Sequence, residues 1–198
     1  MTSGGQALSR LFSAELGSKA LRDDEHRDEA ALVRAAQHGS EEALEVLFRR
    51  YWRSAHRAAY LIVRDPQAAE DIAQESFLAA VRALDNFDRR RPFRPWLHRI
   101  VTNRAIDHTR TRALRREVSI DVAPTEPAVE ELPQPGLELT PALAKLSPEH
   151  RAVIVLRYLL DYTPGEIARM LDLPRGTVNS RLRRALDQLA AGLGGEIR

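Results

Sequence analysis

The sequence predicts an all-α protein made of two helical domains, a first bundle and a carboxy-terminal helix-turn-helix, joined by an extended acidic linker. Three observations carry this. Apolar residues step by three and four through most of the chain; several helix starts pair an N-cap side chain with proline; and a proline-rich acidic block separates two helical stretches. No segment alternates apolar and polar residues as a half-buried strand would.

Composition sets the outer limits. With 198 residues and 43% hydrophobic content, the chain can bury one large core or two small ones. Its formal net charge is only +2 although the pI is 9.3, so the distribution of charge matters more than its total. The absence of cysteine excludes disulfides and thiolate zinc sites and suits a reducing compartment. Apolar runs such as Ala152 to Leu156 fall far short of the ~20 residues a membrane span needs, and the amino terminus has no apolar signal core. A cytoplasmic protein without membrane insertion is expected.

The elements follow in order. Residues 1–27 open with Met-Thr-Ser-Gly-Gly and end in the charged run Arg22 to Arg27, which reads as a mobile leader with room for a short helix over Leu8, Leu11, Phe12 and Leu16. The first domain, 28–116, begins with a helix whose apolar stripe runs through Leu44, Leu47, Tyr51, Ala55, Ala58 and Ile62. Asp65-Pro66 then supplies an N-cap and first-turn proline for a second helix through Ala69, Ile72, Ala73, Phe77 and Ala80. A third carries Trp96, Leu97, Ile100, Val101, Ala105 and Ile106. From Glu117 to Glu138 prolines alternate with acids and no Lys or Arg occurs, which defines the linker, 117–138. In the last domain, 139–198, Ser147-Pro148 opens a helix through Val153, Leu156 and Leu160; Thr163-Pro164-Gly165-Glu166 is a capping box; and a final helix starts near Arg175 after Leu173-Pro174.

Those last elements have the lengths of a helix-turn-helix whose second helix bears a basic outer surface: Arg175, Asn179, Arg181, Arg183 and Arg184. Guanidinium groups pair bidentately with guanine edges or clamp phosphates, and Asn pairs with adenine, although a solvated basic face would read the same way. Between Arg82 and Arg116 there are eleven arginines against Asp85, Asp88 and Asp107, with Phe87, Phe93 and Trp96 interleaved. Cations along a backbone beside stackable rings suit single-stranded nucleic acid, while core packing accounts for the rings, Trp96 above all, equally well. On the second helix Gln67, Glu70, Asp71, Gln74 and Glu75 gather opposite the apolar stripe, a face that is either solvated or a protein contact.

Catalysis has little to stand on. Glu70, Asp71 and Glu75 could suggest metal carboxylates, but no Glu-x-x-His pair is present and the six histidines lack zinc-ligand spacing. A glycine-rich phosphate loop and a nucleophile elbow are also missing, so neither cofactor nor metal is expected.

Asp65 to Phe77, Phe93 to Asp107, Leu146 to Arg151, Glu166-Ile167-Ala168 and Gly176 to Ala185 together resemble the sigma-70 family of bacterial RNA polymerase sigma factors, in its extracytoplasmic-function (ECF) group. The likeness covers residues 28–115 and 139–192. It implies an alternative sigma factor, a non-catalytic subunit that directs core polymerase to promoters and aids their melting. Residues Glu70, Asp71, Gln74 and Glu75 would dock on the beta-prime clamp helices, and the last domain on the beta flap. Asn86, Phe87, Arg89, Arg90, Arg91, Phe93, Trp96, Arg99, Asn103 and Asp107 would take unstacked minus-10 bases. Arg175, Thr177, Asn179, Ser180, Arg181, Arg183 and Arg184 would meet the minus-35 duplex. The linker would thread the cleft where nascent RNA later runs, and an anti-sigma factor would hold the protein inactive. This chain departs from the family at Asn179, where relatives often carry Lys or Arg, at Asp161, a frequent glycine, and in its long leader. Two other readings stay open: a free-standing helix-turn-helix regulator, which would bind operator DNA alone, and a helical metal-dependent nucleotide hydrolase, whose turnover EDTA would abolish.

Overall fold

Helices begin where the sequence supplies caps. A computed structural model describes the backbone of residues 19–118 and 140–193 and the side chains of 28–115 and 142–191. Helix α1 spans Lys19–Gln37, α2 Glu41–Val63 and α3 Pro66–Ala83; a 3-10 turn, Leu84–Asn86, leads through a loop to α4, Phe93–Val118. After the linker come α5, Thr140–Ala144, α6, Pro148–Ile154, which runs on as a π turn over Val155–Leu159, α7, Pro164–Leu171, and α8, Arg175–Leu193. Among the described residues there is no strand. Helix α1 starts inside the stretch read as leader, and α4 carries on through Glu117 and Val118, read as linker. The short helix considered over Leu8 to Leu16 lies outside the described residues.

Ser40 caps α2, Asp65 caps α3 and Ser147 caps α6, each accepting from a backbone N–H three residues on, at 3.1, 3.1 and 3.3 Å. Thr163 and Glu166 close the expected capping box on α7: the Glu166 N–H donates to Thr163 Oγ1 at 3.3 Å and the Thr163 N–H to Glu166 Oε2 at 2.7 Å. Helix α4 is capped from a distance. Its first residue, Phe93, donates its N–H to Glu29 Oε1 on α1 at 2.8 Å, and the Tyr51 hydroxyl on α2 donates to the other oxygen. This buried carboxylate therefore ties three helices together at the end of α4 where the helix dipole favours negative charge. Burial and the carboxylate push the Tyr51 phenol well above its ordinary pKa.

Ile62, Leu97 and Val101 of the amino-terminal helices, and Leu156, Ile167 and Leu189 of the carboxy-terminal ones, are fully buried within one continuous core. Among the described residues, three non-glycine residues take positive φ, and each ends a helix or begins a turn: Arg64 at 60°, Asp161 at 61° and Asp172 at 54°. Asp tolerates this left-handed conformation better than most side chains, which explains how Asp161 stands where the family often has glycine.

Candidate nucleic-acid and partner interfaces

Helix α3 is sharply two-sided. Ala69, Ile72, Ala73, Ser76, Phe77 and Ala80 are buried, whereas Gln67, Glu70, Asp71, Gln74 and Glu75 are exposed. The exposed groups are linked only lightly, by Gln67 Nε2 donating to Asp71 at 3.3 Å, Gln74 Nε2 to Glu70 at 3.2 Å, and Arg104 pairing with Glu75 at 3.4 Å. Beside this face, α2 and α3 enclose an apolar groove of about 450 Å³ lined by Leu44, Phe48, Phe77, Leu78 and Val81, with Gln74 on its edge. Phe48, Leu78 and Val81 remain 40%, 55% and 46% exposed, more than an isolated core would leave in water.

The loop after α3 presents its cations outward. Asp88 organises it, accepting from the Arg90 N–H and from Arg90 Nε at 3.1 Å each while its carbonyl accepts from the Arg91 N–H at 2.9 Å. The Arg90 backbone and side chain hold the Asp88 carboxyl below its usual pKa. Asn86, Arg89, Arg90 and Arg91 are exposed. Phe87 and Phe93 are not: they are buried edge to face at 5.9 Å, and Phe93 lies 5.8 Å from Tyr51, so in this structure both rings pack in the core. Trp96, 4.6 Å from Phe87, is half-buried at the rim of the same cluster. Spacings of three, four and four place it on one face of α4 with Arg99, Asn103 and Asp107, of which Arg99 and Asp107 are exposed.

In the carboxy-terminal group, α7 and α8 meet across a turn at Asp172, whose N–H, like that of Leu173, reaches back to the Ala168 carbonyl. Val178, Leu182, Ala185 and Leu189 bury one side of α8. Arg175, Asn179, Arg183 and Arg184 are exposed, and Thr177, Ser180 and Arg181 lie half-buried between the two sides. Ser180 Oγ donates to the Thr177 carbonyl at 2.9 Å. A helix of this shape, basic on its outer surface and braced by a shorter capped one, has the geometry that enters a major groove.

The models for Sigma-70 region 2 and Sigma-70, region 4 match residues 47–115 and 142–191. The ECF RNA polymerase sigma factor SigM of Mycobacterium tuberculosis is 36% identical over 173 residues, 85% of this chain and 86% of the relative. The chain belongs to the sigma-70 family, in its ECF group. SigW of Bacillus subtilis is 32% identical over 79% of this chain and 92% of its own. A solved structure of CnrH in complex with the cytosolic domain of CnrY superposes with a TM-score of 0.66 at 31% identity, covering 85% of this chain and 98% of that one. The protein is an alternative sigma factor that directs RNA polymerase to promoters. Its region 2 contains the acidic face and the basic loop, and its region 4 the helix-turn-helix.

One feature of this sigma factor had no signature in sequence: regions 2 and 4 are closed on each other. Helices α2 and α4 meet α6, the π turn and α7. Arg94 donates to the Leu160 carbonyl at 3.2 Å and lies 5.6 Å from the Tyr162 ring centre; at the rim Arg110 pairs with Glu149 at 2.8 Å. In the middle is His98, fully buried, with Nε2 3.0 Å from Ser54 Oγ and Nδ1 2.8 Å from the Tyr162 hydroxyl. Because Ser54 donates its own proton to the Tyr51 carbonyl, Nε2–H is the donor to Ser54 and Nδ1 accepts from Tyr162. Arg94 and Arg110 belong to the basic stretch, so closure occupies two of its cations.

Burial, reinforced by Arg94, depresses His98 to about 3. Its folded value lies below the unfolded one of about 6.5, so the stability gained from burying it neutral is full above that pH and is lost as pH falls towards 3. Denaturant titrations are expected to show the protein less stable by roughly 2 kcal/mol at pH 5 than at pH 7.5, with most of the difference absent in His98→Gln. An unchanged pH response in that variant would contradict the assignment.

Proposed function

We propose that residues 28–116 form the domain that docks on core polymerase and handles the minus-10 element, 139–198 the domain that reads the minus-35 duplex, and 117–138 the linker between them, with 1–27 as leader. On this reading Asp71 and Gln74, flanked by Glu70 and Glu75, meet the beta-prime clamp helices, and the neighbouring apolar groove suits a helix-bearing partner. Asn86, Arg89, Arg90 and Arg91, with Trp96, Arg99, Asn103 and Asp107 on one face of α4, hold unpaired minus-10 bases and their phosphates and so aid melting. The acidic linker enters the polymerase cleft as a mimic of RNA, and region 4 contacts the beta flap. The protein does no chemistry itself and acts in the cytoplasm; among the described residues no helix is long and apolar enough to cross a membrane. An anti-sigma factor restrains it, as the complex of CnrH with CnrY suggests by analogy.

The observation that carries the promoter reading best is the outward basic side of α8. In this scheme Arg183 and Arg184 divide between base and phosphate. Replacing a base-reading arginine by Ala costs about 1–3 kcal/mol on the cognate minus-35 duplex and relaxes preference at one base pair. Replacing a phosphate contact weakens all sequences alike and flattens the salt slope by about 0.9. Binding isotherms at several salt concentrations, on cognate and scrambled duplexes, separate the two. If Arg183→Ala and Arg184→Ala both leave affinity and slope unchanged, the assignment is wrong.

A further inference from the structure

One side chain of α1 holds the turn from which the basic loop departs. Gln37 is the last residue of α1, and the helix closes behind it in a C-terminal cap: the Ser40 N–H donates to the Ala35 carbonyl at 3.1 Å and the Gly39 N–H to the Ala36 carbonyl at 3.0 Å, with Gly39 at φ 90°. Glycine takes that backbone conformation at no steric cost, so the base of Gln37 is well defined. From there Gln37 Nε2 donates to the Leu84 carbonyl at 2.8 Å and to the Phe87 carbonyl at 3.1 Å. These two carbonyls bracket Asp85 and Asn86 in the 3-10 turn, which the Phe87 N–H closes by donating to the Leu84 carbonyl at 2.9 Å. A primary amide carries two N–H groups, and Gln37 commits one to each end of the turn. Leu84 and Phe87 are buried while Asp85 and Asn86 are exposed, so the turn is seated in the core by its ends and presents its middle to solvent.

The far end of the loop is held by the same helix, through the bond from the Phe93 N–H to Glu29 at 2.8 Å. At 1.5 Å per residue, Glu29 and Gln37 stand roughly 12 Å apart along α1. Val33 and Ala36, only 1% and 7% exposed, seat the helix between them. Asp88 to Pro92 are exposed throughout, so the placement of this stretch depends on its two anchored ends more than on packing of its own. Groups that read bases by hydrogen bonds must be held within roughly 0.5 Å of the productive geometry. We propose that Gln37 is a positioning residue for minus-10 recognition: by stapling Leu84 to Phe87 it sets where Asn86 and the arginines after it meet unpaired bases. This role rests on the assignment of the loop to the minus-10 strand made above, and it adds to that assignment a residue that itself touches no DNA.

The test selects short single-stranded DNAs of randomised sequence with holoenzyme, assembled from core polymerase and the full chain, and compares the base preferences recovered. The wild-type motif should contain a position whose preference is lost in Asn86→Ala. Gln37→Met, which keeps the length of the side chain and removes both donors, is expected to weaken preference at that same position by roughly tenfold, the scale of two neutral hydrogen bonds, with affinity for core polymerase unchanged. A general loss of stability would instead lower the recovery of all sequences alike. Gln37→Lys restores N–H donors and should restore the preference, and it decides the matter where Gln37→Met folds poorly. Wild-type preference in Gln37→Met, or none regained in a Gln37→Lys protein that melts as wild type does, would overturn the role of Gln37 and leave the loop reading in place. Preference unchanged in Asn86→Ala would overturn the loop reading and the role of Gln37 with it.

Discussion

Asp71→Arg combined with Gln74→Ala is expected to lower the affinity of this sigma factor for core RNA polymerase by about a hundredfold or more, roughly 3 kcal/mol, with an unchanged melting temperature. The stability half follows from the structure. Both side chains are exposed on α3, and the hydrogen bonds they make run only to Gln67 and Glu70 on the same helix, so their replacement should stay within about 0.5 kcal/mol of neutral. The binding half follows from the proposed docking. Reversing one charge and deleting an amide at the centre of a contact opposes each encounter and leaves partner groups unpaired. Titration of labelled polymerase, paired with a thermal melt of the free variant, measures both; intact binding would show that the polymerase docks elsewhere.

The largest effect on folding is expected at Glu29. Glu29→Ala removes the acceptor for the Phe93 N–H and for the Tyr51 hydroxyl and leaves both donors buried. Two bonds to one charged acceptor are worth about 3 kcal/mol or more together, so the denaturation midpoint should fall steeply. Glu29→Gln keeps an oxygen for Phe93 and an amide that can donate to the phenol, and it should recover a good part of the loss. Equal destabilisation by the two variants would mean that Glu29 acts through bulk or net charge rather than through these bonds. Because the bond sits at the start of α4, chemical-shift changes in Glu29→Ala should concentrate around Phe87, Phe93 and Trp96.

Local rules account for what the sequence made legible. Caps at Asp65, Ser147 and Thr163, and apolar steps of three and four, located α3, α6 and α7 because each depends on residues within one or two turns. The two-sidedness of α3 and α8 was legible for the same reason, since one helical period sorts Asp71 from Ile72 and Arg183 from Leu182. Long-range pairs were not legible. Glu29 reads as one charge just past a charged leader, and only the fold brings it to Phe93, 64 residues away. Phe87 and Phe93 look the same in sequence whether they stack on bases or on each other; the fold put them in the core. The closure through His98 and Tyr162 also spans 64 residues, and neither residue type announces a partner.

Run-off transcription bears most directly on the central claim, using core polymerase from the same host and a genomic promoter pool, with and without this protein. The account predicts new start sites that appear only with the protein and share two upstream motifs at fixed spacings, one lost when Arg183 and Arg184 are replaced. No protein-dependent transcript, while the protein alone bound duplex DNA with sequence preference, would contradict it and point to a free-standing regulator instead.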